Sequence, residues 1–572
     1  MRATRNLPDQ SATSNSAPGD IAPRLRALTL LVFAVAFLAY ILLLTKNYYW
    51  DGIFFAQVIE DAPRVNATLI HPNHLLDQVI EYFAYRAVIA LGFHARALLV
   101  LQVSNCVLGA LAVAICFRIC FDRFRSFYVS IVTAAVFAFS ATWWRFATDA
   151  NTYIVAVLFV LGAFYFLSPE RKPQPFAVAV LHAVAMLLHQ LTVFFFPAAI
   201  VGLILQTRDK PKNQRQAIVL GYVVPVVLIT LGVYYFVFHL ATGLWGPGRF
   251  ASWITYFSPE NGFTFSAIGN LSYSVRSQVR TMFGGRIAFV REFGGPLMIT
   301  LTALTALALL SFIFVLITRF KEWRGVIAAA VDLPPSLKSL TLACAVWIIP
   351  YVVFLFFFIP QNTFYRLFYL PPIMFMVGAM LAAIESSPYH IRRYRAALLA
   401  LVMFLANLTF SQYPYTQVRA NPPLELALKL NQVWPTGTTI YFAAPSTDGA
   451  LIRYFNPGTV WVQVTSAEIA PKLENLTSAR TAWLDTTLVD QMEASAEGRA
   501  WLASHAVRRS DCELVNNKYR IRFYQLKADS FGVTEPRTIV SGTSSQLAFN
   551  ERRYCARCGF IPLATARGSE KR

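Results

Sequence analysis

Charge is what this sequence has least of. Of its 572 residues only 14% are Asp, Glu, Lys or Arg, where soluble domains carry about 25%. The deficit excludes a water-soluble enzyme, and the 56% of hydrophobic residues excludes a disordered chain. Cysteine is scarce, seven in all, which excludes a disulfide scaffold. The C-terminal part has no Gly-rich phosphate loop, and no internal repeat of the kind found in transporters is visible. Acids are the rarer sign of charge, 30 against 50 Lys and Arg, for a net +20. In a soluble protein that excess would raise the question of nucleic acid. In a membrane chain it points first to cytoplasmic loops, and no nucleic-acid partner is expected.

What is present is apolar runs of about 17–25 residues, the length of a bilayer-spanning helix. Eleven spans are predicted: up to Leu44, then 97–117, 127–144, 151–167, two sharing 175–206 with a turn near His189, then 217–240, 297–318, 339–359, 368–384 and 396–411. Every even-numbered span ends in a basic cluster: Arg118/Arg123/Arg125, Arg171/Lys172, Arg208/Lys210/Lys212/Arg215, Arg319/Lys321/Arg324 and Arg392/Arg393/Arg395. A count wrong by one would reverse the alternation, so the N-terminus is placed in the cytoplasm. The expected fold is mainly α, a polytopic membrane protein of about 11 transmembrane helices with a small C-terminal α/β domain. The expected parts are a disordered cytoplasmic segment 1–23, a transmembrane domain 24–412 with outer loops 46–95 and 241–295, and an extracytoplasmic α/β domain 413–572. Its strands are read at Thr439–Ala443, Val460–Val464, Thr481–Asp485 and Arg520–Leu526. Cys555 and Cys558 form one CxxC, for which Cys512 and His505 are weak additional zinc ligands; a local disulfide or free thiols fit it better.

Charge at membrane depth needs a reason, and the chemistry-bearing residues fall on one side of this topology. After span 1 comes Tyr48-Tyr49-Trp50-Asp51-Gly52, then an amphipathic stretch to Glu60-Asp61. His71-Pro72-Asn73-His74 opens a helix over 75–91, which carries Asp77, Glu81 and Arg86 and reads as lying in the interface. Arg145, Asp149 and Asn151 stand at the outer ends of spans 3 and 4, His189 and Gln190 at the turn between spans 5 and 6, and Gln361, Asn362, Tyr365 and Arg366 before span 10. One carboxylate to take a proton and cations to hold a departing phosphate suffice for transfer of a sugar from a polyprenyl phosphate. Asp51 fits the base, and Arg366, Arg145 and His71 fit the cations. Structural alternatives stand beside each: Asp51 as an interfacial residue, His71 and His74 as caps of the helix that follows, Asp149 as the cap of span 4, His189 bonded to a carbonyl, Arg366 as an interfacial anchor.

Several stretches, in this order, resemble the GT-C membrane glycosyltransferases, in particular the branch of protein O-mannosyltransferases and the lipid A aminoarabinose transferase. WDGIFFAQVIED resembles the first-loop motif, HPNHLLDQVIEYFAYRAVIALG the Lys-Pro-Pro-led helix, WWRFATDANTYIVAVLF the Arg-x-x-x-Asp junction, LHQLTVFFFPA the break between two middle spans, and NTFYRLFYLPP the Arg-Tyr-x-x-Pro entry to a late span. The resemblance covers about residues 25–410 and implies an inverting transferase, hexosyl or pentosyl, with a polyprenyl-phosphate sugar donor. It implies that Asp51 is the catalytic acidic residue, acting as the base, and that Arg366 lies near the donor phosphate. His71 stands where relatives often have a phosphate-binding lysine, and Gly52 where some have a second acid. His74, Arg145, Asp149, His189 and Tyr365 complete the expected donor- or substrate-binding set. No divalent metal or other cofactor is expected. The expected partners are membrane lipids, the lipid-linked donor and an acceptor the sequence does not name, at the outer face of a cell membrane. A transporter or flippase for a lipid-linked or polar substrate is the alternative.

Overall fold

The computed structural model describes residues 18–255, 262–318, 333–385, 394–464 and 482–527. Cys555 and Cys558 lie outside them. Cys512 is buried with a free thiol, and His505 Nδ1 bonds to Ser504 and the Trp501 carbonyl.

The apolar runs fold as helices, and the chain is a multi-pass membrane protein. In order these are α1 (Pro18–Ile41), α2 (Trp50–Asp61), α3 (Asp77–Ala90), α4 (Ala97–Phe124), α5 (Phe127–Ala138), α6 (Ala141–Ala147), α7 (Tyr153–Phe166), α8 (Pro175–Leu188), α9 (Phe196–Gln206), α10 (Lys212–Thr242), α11 (Pro247–Thr255) and α12 (Ala267–Met282). Long helices follow at Pro296–Thr318, Pro335–Phe357, Leu370–Glu385 and Tyr394–Asn407. Among the described residues seven helices are long and apolar enough to cross a membrane, eight if the bent pair α5–α6 counts as one. The shorter apolar segments Tyr153–Phe166, Pro175–Leu188 and Gln190–Gln206 stand where spans 4, 5 and 6 were expected.

Three expectations need correction. Residues 18–23, expected to be disordered, begin α1. Span 3 is not one rod: α5 and α6 meet at 68°. The break frees the Phe139 carbonyl, which accepts from Asn407 Nδ2 at 2.8 Å, the kind of replacement partner a broken span needs. The strand expected over Arg520–Leu526 is two strands in two sheets. Between them the Arg522 guanidinium grips Glu493 at 2.9 Å and its backbone N–H donates to Thr486 Oγ1 at 2.7 Å, which turns the chain.

The membrane core packs around α4, α5, α7 and the helices Pro335–Phe357 and Leu370–Glu385, with Trp143, Trp144 and Trp347 wholly buried. In the C-terminal domain five strands run in the order β2-β1-β3-β7-β4 (β1 Thr439–Phe442, β2 Val460–Gln463, β3 Ala482–Leu484, β4 Ala506–Arg508, β7 Tyr524–Leu526), and β5 (Leu514–Val515) pairs with β6 (Arg520–Ile521). β1 pairs in parallel with both neighbours, β7 antiparallel with its own. Alternation along β1 sends Ile440 to a cluster with Leu424, Leu430 and Ile452 and Tyr441 to one with Leu488 and Met492, so helices cover both faces.

Candidate active site

Asp51 lies in the first turn of α2, which starts right after Tyr49. That start is fixed from outside the helix. Asp149, between α6 and α7, accepts from the Tyr49 N–H at 2.7 Å through Oδ2 and from the Ala150 N–H at 2.9 Å through Oδ1. The residue after Asp51 is glycine for a steric reason. A Cβ on Gly52 would stand 2.3 Å from the Ala150 carbonyl oxygen, so a second acid at this position has no room. Asp51 keeps part of its surface open, yet burial pushes its carboxyl up to about 7, against the pull of the Tyr49 hydroxyl beside it. Burial likewise pushes Asp149 up to about 7, and Arg145 with the two N–H donors acts in the opposite sense. Asp149 is thus a support under α2, and Arg145 a support under Asp149; the guanidinium lies 5.3 Å from the Tyr415 ring centroid.

From Asp51 a connected wall of rings leads inward. The Tyr49 hydroxyl is 3.3 Å from that of Tyr153. Tyr153 packs against His189 at 5.2 Å and Tyr365 at 6.0 Å between ring centroids, His189 against His74 at 4.6 Å, and His74 against His71 at 5.3 Å. Burial, and after it the negative charge of Asp51, discourages ionisation of Tyr49. Thus Asp51, His71, His74, His189 and Tyr365, scattered over more than 300 residues of sequence, share one neighbourhood.

The histidines differ from expectation in charge. Burial lowers His71 to about 4, His189 to about 3 and His74 well below its ordinary value. All three are neutral at pH 7, so His71 offers a hydrogen bond where a lysine would offer a cation. Its Nδ1 accepts from the Asn73 N–H at 3.2 Å and His189 Nδ1 from the Leu191 N–H at 3.2 Å, which leaves each proton on Nε2. His189 Nε2 is buried with no partner, as is His74 Nδ1. On α3, Asp77 and Glu81 are one turn apart and both pushed up by burial.

Arg366 is 4% exposed and spends its donors on neutral oxygens: the Asn362 carbonyl at 3.1 Å, the Pro360 carbonyl at 2.9 Å, Ser277 Oγ at 2.8 Å and the Tyr369 hydroxyl. Its charge meets no carboxylate among the described residues. Ser277 belongs to α12 and also lines a cavity of about 90 Å³ with Tyr273, Arg276, Arg280 and Gln361. That volume is well below the roughly 300–1,000 Å³ of a small-molecule pocket. The two arginines that line it, Arg276 and Arg280, suit a single anionic group.

α12 is amphipathic in an inverted sense. Asn270, Ser277 and Thr281 are buried, while Ile268, Leu271, Val275 and Val279 form an exposed stripe, Ile268 at 86%. Gly285, at φ +87°, lets the chain after α12 pass against the Phe410 carbonyl, which accepts from the Arg286 N–H at 2.9 Å. Tyr153, Arg276, Ser277 and Arg280 are the site residues that sequence reasoning missed, and Tyr49 was seen only as a neighbour of Asp51. For Arg276 and Arg280 a signal existed: they stand four apart on the polar side of the stripe 268/271/275/279. For Tyr153, one aromatic among many in a span, there was none. Among the described residues no group of three or more His, Cys, Asp and Glu is arranged to hold a metal ion.

The chain is thus a polytopic helical domain followed by a small mixed sheet, with the polar residues gathered at helix ends. No family model and no curated protein matches the chain. Among solved structures it is similar to ArnT from Cupriavidus metallidurans bound to undecaprenyl phosphate, at a TM-score of 0.51 and 11% identity, over 91% of this chain and 100% of that one. The same protein in the apo state gives a TM-score of 0.53 and 12% identity, over 89% and 100%. At such identities the likeness is one of fold.

Proposed function

We propose that this chain is an inverting glycosyltransferase that moves a sugar from a polyprenyl-phosphate donor to a lipid, glycan or protein acceptor at the outer face of the cell membrane. In this reading Asp51 removes a proton from the acceptor hydroxyl or amine as that atom attacks the anomeric carbon from the side opposite the phosphate. The bond from carbon to phosphate oxygen breaks, and the phosphate leaves with the electron pair, so no general acid is required. Arg276 and Arg280 hold the phosphate, with the Arg366 charge behind Ser277, and His71, His74, His189 and Tyr365 face the sugar as neutral hydrogen-bonding groups. The N-terminus is cytoplasmic, the C-terminal domain outside, and no divalent metal takes part. The observation that carries the reading is Asp51 itself. It is a partly open carboxyl pushed up to about 7, the value suited to a base at neutral pH, and it stands at the head of the wall of rings that runs through Tyr49 and Tyr153 to His189. The GT-C fold, shared with a protein solved with undecaprenyl phosphate, supports the choice of donor class.

The test uses the full chain in nanodiscs with undecaprenyl-phosphate-linked sugars and a membrane extract as acceptor, following donor loss by mass spectrometry. Asp51→Asn is expected to lower transfer about 10²-fold or more. The wild-type rate rises with pH around about 7, because only the ionised carboxylate accepts a proton. Transfer persists in EDTA. An Asp51→Asn protein as active as wild type would remove the assignment.

A further inference from the structure

One helix of the C-terminal domain, Thr447–Phe455, touches the C-terminal end of α2 through Glu60 and, through Tyr48, the segment that leads into its first turn. At the far end, Glu60 Oε1 accepts from the Tyr454 hydroxyl at 2.9 Å, the Ala97 N–H at 2.7 Å and Arg96 Nε at 2.9 Å. The Tyr454 hydroxyl accepts from the Leu98 N–H at 3.1 Å. The Arg96 guanidinium lies 4.0 Å from the Tyr454 ring centroid and donates to the Tyr454 carbonyl at 3.0 Å. Glu60 therefore sits at the N-terminus of α4, where the helix dipole and unpaired N–H groups favour an anion. Arg453 faces Asp61 at 4.0 Å. At the near end Phe455 stacks on Tyr48 at 5.8 Å, three residues ahead of Asp51. Between the two ends Tyr454 packs in one buried cluster with Ile53, Phe55 and Ile59 of α2.

We propose that the C-terminal domain is a positioning part of the transfer site: Tyr454 holds the C-terminal end of α2 and Phe455 the Tyr48 segment that leads into it, and together they fix where the Asp51 carboxylate lies. The proposal rests on Asp51 being the base. Its physical basis is the stiffness of α2, 12 residues long, over which an error at Glu60 is carried roughly 13 Å to Asp51 as a tilt. The Arg96–Glu60 pair alone gives little, since Arg96 is 43% exposed on its side chain. The buried Tyr454 hydroxyl, bonded on both sides, gives the contact its direction.

The test compares Tyr454→Phe, Phe455→Leu and Asp51→Asn with wild type, all as full chains in nanodiscs with undecaprenyl-phosphate-linked sugars. For Tyr454→Phe a fall in kcat of roughly tenfold is expected, with KM for the lipid-linked sugar unchanged. The acid limb of the rate profile moves to lower pH as water reaches Asp51. Amides of residues 50–61 exchange faster. A purely structural role would lower the yield of folded protein without moving the pH limb of the folded fraction. If Tyr454→Phe does not fold, Phe455→Leu carries the same expectation from the Tyr48 segment. Wild-type kcat and pH limb in the folded variants, with Asp51→Asn inactive, would overturn the proposal. An active Asp51→Asn would instead remove the reading beneath it.

Discussion

Single residues at this site are set by contacts that have little to do with their own chemistry. Gly52 has no function of its own, yet the approach of the Ala150 carbonyl allows nothing larger. Gly52→Ala has to push the first turn of α2 away from the α6–α7 junction. A displacement near 1 Å at a reacting group costs about 10²-fold, so kcat in the donor-loss assay is expected to fall by that order while the chain still folds. A Gly52→Ala enzyme with wild-type kcat would mean that the contact yields without moving Asp51. Asp149 shows the same division of labour. Its position in the sequence suggested substrate binding or a cap of span 4, and its two oxygens are taken by the N–H groups of Tyr49 and Ala150. Sequence exposed the residue but not its role, because a long-range bond between a side chain and a distant backbone leaves no periodic trace.

At the scale of elements, legibility followed length. Long uniform runs such as α10 and Pro296–Thr318 were readable from hydropathy alone. The break between α5 and α6 was not, since what stabilises it is Asn407, far along the chain. α12 was hidden for another reason. It lies in a segment too polar for a span, and its stripe of Ile268, Leu271, Val275 and Val279 points away from the protein. A helix with that pattern in a soluble protein would turn the stripe inward. Here the polar side, with Ser277, faces Arg366. If Arg276 and Arg280 hold the donor phosphate, Arg280→Ala should weaken binding of undecaprenyl phosphate about tenfold, by the loss of one charge-assisted contact. Arg280→Lys should restore part of it. Microscale thermophoresis in nanodiscs measures both, and unchanged affinity in the alanine variant would remove α12 from the donor site.

The whole molecule was readable as an arrangement before any contact was visible. Alternating basic clusters put Asp51, His71, His189 and Arg366 on one side, and the fold brings the first three into one wall of rings, with Arg366 beside the neighbouring cavity. What could not be read was their protonation, which depends on how deeply tertiary packing buries each imidazole. The orientation itself can be tested. With Cys555 and Cys558 changed to Ser, Thr436→Cys in the C-terminal domain should react with a membrane-impermeant maleimide in intact cells. Asp209→Cys, in the basic loop after α9, should react only after permeabilisation. Both positions are exposed, so the opposite pattern would invert the topology.

In the proposed reading the outward apolar side of α12, Ile268, Leu271, Val275 and Val279, meets lipid, so this wall of the site is closed by hydrocarbon rather than by protein. A molecule that passes it travels in two dimensions, so its effective concentration is a mole fraction of the membrane and not a molarity. Apparent affinities should then scale with the amount of lipid in the assay, and diluting the bilayer with inert lipid should act as dilution of the substrate would in water.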